Sequence, residues 1–575
     1  MAKALKSDAV TTKRDARTWK TLNRSVIFQQ VFRKFVIGAT VCGRLAMRHG
    51  YAGVIARGKT LILSSQTFPY CPVLQKTCSL FVREGLGRSA VLSEKAQMTK
   101  GVMKVSTSSR REITSLQRSF WMLDAEPQLD VAAPLSTSED ADVVVVGGGF
   151  VGLWTALTIR ELSPAAKVVV LERDVCGGGA SGRNGGFVMS WWPKIASLLA
   201  FMDVEQALFL ARASERAIEE LGDFCEQHAI DAHFRRAGWL WTSTSEAQGD
   251  SWTATVEACA KLGVRPFEQV ASEEVARRTG SGIHRAGVFE RSNGTVQPAA
   301  LVRGMRRLAL KRGIRIYENT PVLEISRDCP SVVRTDKAQV RANAVVLATN
   351  AWATAIPEIA RLIVPVNSSI VVTEPIPEQL RSIGWTGGEA ITDSQLMVNY
   401  YRTTRDGRIA FGKGTGALSR GGIIDETFSH HAESCAMTEQ DFRRTYPMLA
   451  GVRVTHAWSG PIDRTYDSLP VFGTLSGTQH IHYGVGWSGN GVGPSRIGGR
   501  ILASLALERK DEWSGCALVG RRARTFPPEP IKYIGGSLVR GAVRRKECRE
   551  AAGAVPRTFD VALAKLAPSG LEDKS

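Results

Sequence analysis

Gly147, Gly149 and Gly152 stand in a Gly-x-Gly-x-x-Gly spacing, and Glu172 follows 20 residues after the third of them. Residues of these types at this spacing can bind a dinucleotide. The first glycine permits a tight turn, the second lets the backbone approach a pyrophosphate, and the third allows close helix–strand contact. A diphosphate would rest on the amide-rich helix terminus, and Glu172 would accept hydrogen bonds from an adenosine ribose. The glycines alone are a weak signal, equally readable as a turn with no ligand, and the surrounding pattern strengthens them. Residues 143–146 form a β-branched run suited to a central parallel strand, 153–162 suits a helix, and 167–171 is a second apolar strand ending at Glu172. Strand, turn, helix, strand is a βαβ unit.

A second glycine-dense run, 177–186, follows at once. Ser181, Arg183, Asn184, Gly185 and Gly186 supply backbone donors, a cation and little bulk, a combination able to surround a planar ring or a phosphate. A mobile surface loop is the alternative. An enzyme using only a nicotinamide has no obvious need of this loop, so a flavin is the better expectation. Near the other end of the body, Gly486, Gly489, Asn490, Gly491 and Val492 precede a small-and-apolar helix at 497–507. Amides exposed there would favour negative charge at the pyrimidine edge of a reduced flavin.

The stretches ADVVVVGGGFVGLWTA, LERDVCGGGASGRNGG, VQPAALVRGMRRLALKRGIRIYENTPV, AVVLATNAW and VGWSGNGVGPSRIGGRILA resemble the FAD-dependent amine and D-amino-acid oxidase superfamily. The likeness is to its glycine oxidase, sarcosine oxidase and gamma-glutamylputrescine oxidase-like members. It spans about residues 119–508, and the run at 526–547 looks like the tail of close members. The resemblance implies FAD, taken as non-covalent by default for want of an attachment residue, with Gly147, Gly149, Gly152 and Glu172 at the pyrophosphate and ribose and Arg173 beside adenine. It further implies Ser181, Arg183, Asn184, Gly185 and Gly186 along the pyrophosphate and isoalloxazine, and the backbone of Val322 on adenine. Ala348 and Thr349 would lie near the diphosphate, and Gly486, Gly489, Asn490, Gly491 and Val492 at the pyrimidine edge. The implied reaction removes a hydride equivalent from the carbon next to an amine, giving an imine that water hydrolyses. Oxygen, or alternatively a quinone or carrier protein, would accept the electrons.

Such chemistry needs little acid–base machinery if the amine arrives neutral, because orientation over the ring supplies much of the work. Tyr400 and Tyr401 end an expected strand at 395–401 and Arg402 follows them, ahead of the Asp406-Gly407 turn and another strand at 408–411. Alternation puts Tyr400 and Arg402 on one face. Facing the flavin, Arg402 would hold a carboxylate bidentately; facing outward, it is a solvated strand residue. Trp487 and Trp352 are candidates for an aromatic wall, as are Trp191 and Trp192, with core packing the alternative. Arg235, Arg236, Trp239 and Trp241 accompany a strand at 238–243, and Tyr466 and Asp467 lie before the late loop. His482 is a candidate for proton transfer, although a lone histidine is more often structural. Cys176 sits near the cofactor motifs, yet no residue stands out for covalent flavin attachment.

The chain has 575 residues, room for two to four domains, and a net charge of +19. Residues 1–118 hold 22 Lys/Arg against 5 Asp/Glu, so only about +2 belongs to the rest. That segment is read as a poorly structured basic extension or as sequence ahead of a true start near Met122; a surface-binding role for it is the alternative of another class. None of the ten cysteines forms a CxxC, no metal site is expected, and the cysteine usage fits a reducing, cytoplasmic setting. No nucleic-acid partner and no transmembrane segment are expected. The expected fold is α/β: a Rossmann-like FAD-binding domain made from discontinuous segments, plus an α+β substrate domain with a mostly antiparallel sheet. The expected order is FAD-binding at 119–225, 297–360 and 451–515, substrate domain at 226–296 and 361–450, and a C-terminal extension at 516–575.

Overall fold

The computed structural model describes residues 102–105, 118–126 and 128–570. Most of the expected basic extension lies outside the described residues. The β-branched run at 143–146 ends strand Glu139–Val146, and its two faces explain its composition. Val143 and Val145 join one apolar core with Leu153, Trp154 and Leu157 of helix Phe150–Leu162. Val144 and Val146 join a second core with Val169, Val345 and Leu347. A strand covered on both faces leaves no place for a polar side chain. Parallel pairing runs Ile481–Val485, Gln339–Leu347, Glu139–Val146, Val168–Leu171, Arg315–Tyr317. An antiparallel meander of Val102–Lys104, Glu324–Ser326 and Ser331–Arg334 joins the N-terminal half of Gln339–Leu347.

The second sheet has eight strands in the order Val454–Arg464, Val364–Thr373, Ile409–Lys413, Asn399–Thr403, Ala390–Thr392, Trp239–Ser243, Ala286–Glu290, Phe267–Val270. It is antiparallel except where Ala390–Thr392 runs beside Trp239–Ser243. Period-two alternation puts Tyr401 into a core shared with Phe411, Phe442 and Tyr446, its ring stacked 4.7 Å from that of Phe411. Tyr400 and Arg402 are thereby turned to the opposite face, toward the first sheet's loops.

Three expected boundaries differ from the structure. The strand placed at 395–401 runs Asn399–Thr403, because Asp393 Oδ1 accepts from the amides of Gln395 and Asn399 and holds the intervening residues in a turn. Strand Val454–Arg464 pairs with nearly all of Val364–Thr373, so it lies in the substrate-side sheet and not in the FAD-binding segment expected over 451–515. Val102–Lys104 is a strand of the nucleotide-side sheet, and Ser119 caps helix Phe120–Ala125, whose Phe120, Trp121 and Met122 are buried. The folded body therefore includes residues ahead of both the boundary at 118 and Met122. Among the described residues no helix is long and apolar enough to cross a membrane.

A buried charge cluster fastens the lead-in to the nucleotide side. Glu318 is fully buried; its carboxylate accepts from the amides of Ala132 (2.6 Å) and Cys176 (2.7 Å), and pairs with Arg303 and Arg306, each at 2.9 Å. The two arginines of helix Pro298–Lys311 are 1% exposed and also reach Glu126 and Asp130. Removing one member of such a cluster leaves buried charge uncompensated, whereas the intact set is self-satisfied. Glu318→Gln is expected to lower stability by about 3–5 kcal/mol, measured as the urea midpoint of the full-length protein; a midpoint equal to the parent's would show that the cluster contributes little.

Candidate active site

One continuous cavity of about 1220 Å³ runs from the first glycine turn to the substrate-side sheet. That exceeds the ~300–1,000 Å³ usual for a single small molecule, leaving room for a dinucleotide and a donor beside it. At the nucleotide end Gly147 has φ +112°, and a Cβ on Gly152 would lie 1.9 Å from the Gly147 carbonyl oxygen, so helix and strand approach only because both are glycine. Gly147, Gly149, Glu172, Arg173, Val322, Ala348 and Thr349 all line the cavity. Glu172 accepts from the amides of Gly148 (2.7 Å) and Asp174 (2.9 Å), and burial raises its pKa. The Arg173 guanidinium lies 4.7 Å over the Trp352 ring. Val105, Asn319, Thr320 and Pro321 complete this end. Sequence reasoning missed Val105 because it lies inside the segment set aside as an extension.

The loop at 182–185 is held from behind by its carbonyls. Gly182 O accepts from Ser119 Oγ (2.5 Å), Arg183 O from Trp458 Nε1 (2.8 Å), Asn184 O from Trp121 Nε1 (2.9 Å) and Gly185 O from Arg402 Nε (2.9 Å). In a trans peptide the next residue's N–H points the opposite way. The amides of Asn184 and Gly185, which make no hydrogen bond among the described residues, are thus turned away from those donors at a stretch that lines the cavity. Arg183 is buried, its pKa lowered to about 10 by desolvation, and it donates to the carbonyls of Gly178, Ser429 and Ser459. Gly186 lies behind the wall, where its amide donates to Asn184 Oδ1.

A buried carboxylate shapes the late loop. Asp463 accepts from the amides of Gly486 (2.7 Å) and Trp487 (3.1 Å), and burial pushes its pKa up to about 7. Gly486 sits behind the cavity as part of this anchor, while Trp487, Gly489, Asn490, Gly491 and Val492 line it. The amides of Gly489, Gly491 and Val492 make no hydrogen bond among the described residues. Nothing in the local sequence pattern marks Asp463, since the residues it holds lie more than 20 positions away.

On the substrate side Tyr400 lines the cavity with its hydroxyl 2.8 Å from Ser368 Oγ, its ring 5.9 Å from that of Phe187, and its pKa pushed up to about 12 by burial. Arg402, on the same strand face, does not line the cavity. It bonds the carbonyls of Gly185 and Val296 and lies 5.0 Å over the Trp121 ring, with burial lowering its pKa to about 9. The expected carboxylate clamp is instead a strut, because residues two apart on a strand share a face but are about 7 Å apart. His482 is also outside the cavity. It is paired with Thr474 Oγ1 at 3.0 Å, and burial lowers its pKa to about 4. Trp191, Trp192, Trp239 and Trp241 are core residues, Arg235 bonds the Thr386 carbonyl, Arg236 pairs with Glu219, and Asp467 pairs with Arg521.

Arg173, Arg183, Lys194 and Arg464 are the cations that line the cavity among the described residues, and Arg464 is one that sequence reasoning passed over. It has no hydrogen-bond or ion-pair partner among the described residues, its Nε is buried, and desolvation lowers its pKa to about 10. It follows Asp463, so one strand end presents first the carboxylate that holds the late loop and then an unpaired guanidinium. Thr349 Oγ1, Trp352 Nε1 and Asn490 Oδ1 are likewise buried cavity-lining groups without partners. Polar atoms in such positions call for a polar ligand. Together with the free amides at both glycine loops, they fit FAD along the length of the cavity. Cys176 does not line it; its amide bonds Glu318 and burial holds its thiol well above the usual range.

Comparisons with known proteins agree with this geometry. A family described as FAD dependent oxidoreductase (DAO) matches residues 142–505. Gamma-glutamylputrescine oxidoreductase of Escherichia coli is 30% identical over 374 residues, covering 64% of this chain and 84% of that protein. Glycine oxidase of Pseudomonas aeruginosa is 25% identical over 380 residues, covering 64% and 95%. Among solved structures, glycine oxidase from Bacillus cereus superposes with a TM-score of 0.55 at 20% identity, covering 66% of this chain and 99% of that one. L-proline dehydrogenase from P. horikoshii gives 0.54 at 22%, covering 65% and 96%. At these identities the structural likeness concerns the fold.

Gly152→Ala would drive a methyl into the Gly147 carbonyl, and the turn can only open in response. FAD affinity is expected to fall about tenfold or more, read as the flavin-to-protein ratio of purified protein; full flavin content in this variant would contradict the turn's role. With motif, cavity and similarity in register over the same residues, the chain belongs to the family of FAD-dependent oxidoreductases.

Proposed function

We propose that the electron donor is a small amine or amino acid, oxidised at the carbon next to nitrogen, and that it lies between the flavin ring and a wall made by Phe187, Tyr400 and Arg464. The observation that carries this reading is the unpartnered Arg464 in the wall of the cavity that also contains both flavin loops. Bound FAD supplies a two-electron acceptor for the hydride equivalent, and water hydrolyses the resulting imine to a carbonyl compound and an amine or ammonia. The chain's residues then have defined tasks. Arg464 holds a donor carboxylate, which aligns the C–H bond. Tyr400, neutral at all physiological pH values, orients through its hydroxyl and serves as no base. The amides of Gly489, Gly491 and Val492 favour negative charge at the ring's edge.

The names of the Escherichia coli and Pseudomonas aeruginosa relatives, a gamma-glutamylputrescine oxidoreductase and a glycine oxidase, support a donor of this class. We take the flavin to be non-covalent, since no cysteine or histidine lines the cavity among the described residues. Oxygen is the proposed acceptor, and a quinone or carrier protein is the competing one; slow reoxidation by air with rapid reoxidation by a quinone analogue would select the competitor. A cytoplasmic setting is proposed on the seven described cysteines, all of them free thiols.

Anaerobic flavin bleaching against polyamines, N-methyl amino acids, glycine and aminophosphonates tests the donor class directly. Within the donors that bleach, Arg464→Met is expected to cost about 1.5–3 kcal/mol in kcat/KM, roughly tenfold to a hundredfold, for those bearing a carboxylate. The same donors lacking that group should be little affected. An equal loss for both kinds would remove Arg464 from the donor site.

A further inference from the structure

The C-terminal helices Ile531–Ala551 and Thr558–Ala564, with the tail that follows them, touch the cavity wall at three separated places. Glu547 accepts from the amide of Met397 at 3.0 Å, between the lining residues Leu396 and Val398. Arg540 Nε donates to the Thr415 carbonyl at 2.8 Å, between the lining residues Gly414 and Gly416. The Ser569 amide donates to the Tyr466 carbonyl at 2.9 Å, and its own carbonyl accepts from the hydroxyl of the lining residue Ser468 at 2.7 Å. Gly570 then lines the cavity itself, and a Cβ placed on it would meet Leu396 at 3.5 Å. Met397, Val543 and Ala564 are buried together beneath this contact, packed with Leu396 and Val539.

The contacted segments flank the start of strand Asn399–Thr403 and the ends of Ile409–Lys413 and Val454–Arg464, which the register brings to one end of the substrate-side sheet that carries Tyr400. We infer that the C-terminal segment 531–570 is part of the donor site: a strap that closes the cavity beyond Tyr400 and limits the length of the donor admitted. Small residues form its innermost part, so Gly570 sets the room left beside Leu396. Elsewhere the strap acts by positioning, holding three lining segments from outside. The inference rests on the amine-donor reading for what enters the cavity, but not for the existence of the wall.

The test uses full-length holoenzyme carrying Gly570→Leu or Ser468→Ala, with two readouts: acrylamide quenching of bound-flavin fluorescence, and anaerobic bleaching by glycine, N-methylglycine and N-benzylglycine. Gly570→Leu should reduce quenching and raise the half-saturating N-benzylglycine concentration about tenfold relative to glycine. Ser468→Ala, which releases the Ser569 carbonyl, should increase quenching. Flavin-loaded variants that quench as the parent does would overturn the strap. Quenching that shifts as expected while none of the three amines bleaches the flavin would support the strap and count against the donor reading alone.

Discussion

Four consecutive carbonyls, Gly182 to Gly185, each accept a hydrogen bond from a side chain brought from elsewhere in the chain, and the site depends on that arrangement. A buried carbonyl without a donor is costly, so a loop in this conformation persists only where every donor is delivered. The donors come from the lead-in (Ser119, Trp121) and from two strands of the substrate-side sheet (Trp458, Arg402). The glycine-rich loop therefore takes its cofactor-facing form only when lead-in, nucleotide sheet and substrate sheet are docked together. Glu318 fastens the lead-in on the nucleotide side, joining the amide of Ala132 to that of Cys176 and to helix Pro298–Lys311.

The buried charges divide according to what satisfies them. Arg183 and Arg402 bond backbone carbonyls, and Asp463 bonds backbone amides; each fixes a loop. Desolvation lowers the pKa of both arginines and raises that of the aspartate, the directions expected when the charged form loses water. Arg464 experiences the same desolvation without the compensating bonds. An unpaired guanidinium at a cavity wall is unfavourable in the free protein and would be stabilised by an arriving anion, which is the basis for proposing Arg464 as a recognition group.

How much could be read without coordinates followed the range of the forces involved. The βαβ unit was legible because its cause is local: β-branched residues at 143–146 suit a strand buried on both faces, and glycines at 147 and 152 suit a turn where Cβ atoms would collide. The pairing of Tyr400 with Arg402 on one face was also legible, since period two follows from backbone geometry alone. Their different fates were not, because a displacement of one residue pair along the strand moves a side chain from the cavity to the loop behind it. Val105 was passed over for a different reason. The charge of residues 1–118 suggested a boundary, but membership in the fold is decided by burial, and Met103 and Val105 are buried.

From its sequence alone this chain declares a dinucleotide turn, a second glycine loop and a late amide-rich loop, since each depends on residues that are neighbours in the chain and on the space a missing Cβ leaves. Tertiary structure alone decided which arginine lines the cavity without a partner among the described residues, which carboxylate anchors the late loop, and that the tail after the C-terminal helices reaches the cavity wall. Those outcomes depend on hydrogen bonds between groups tens to hundreds of residues apart, and a buried donor or acceptor is assigned only when the fold brings its partner to it.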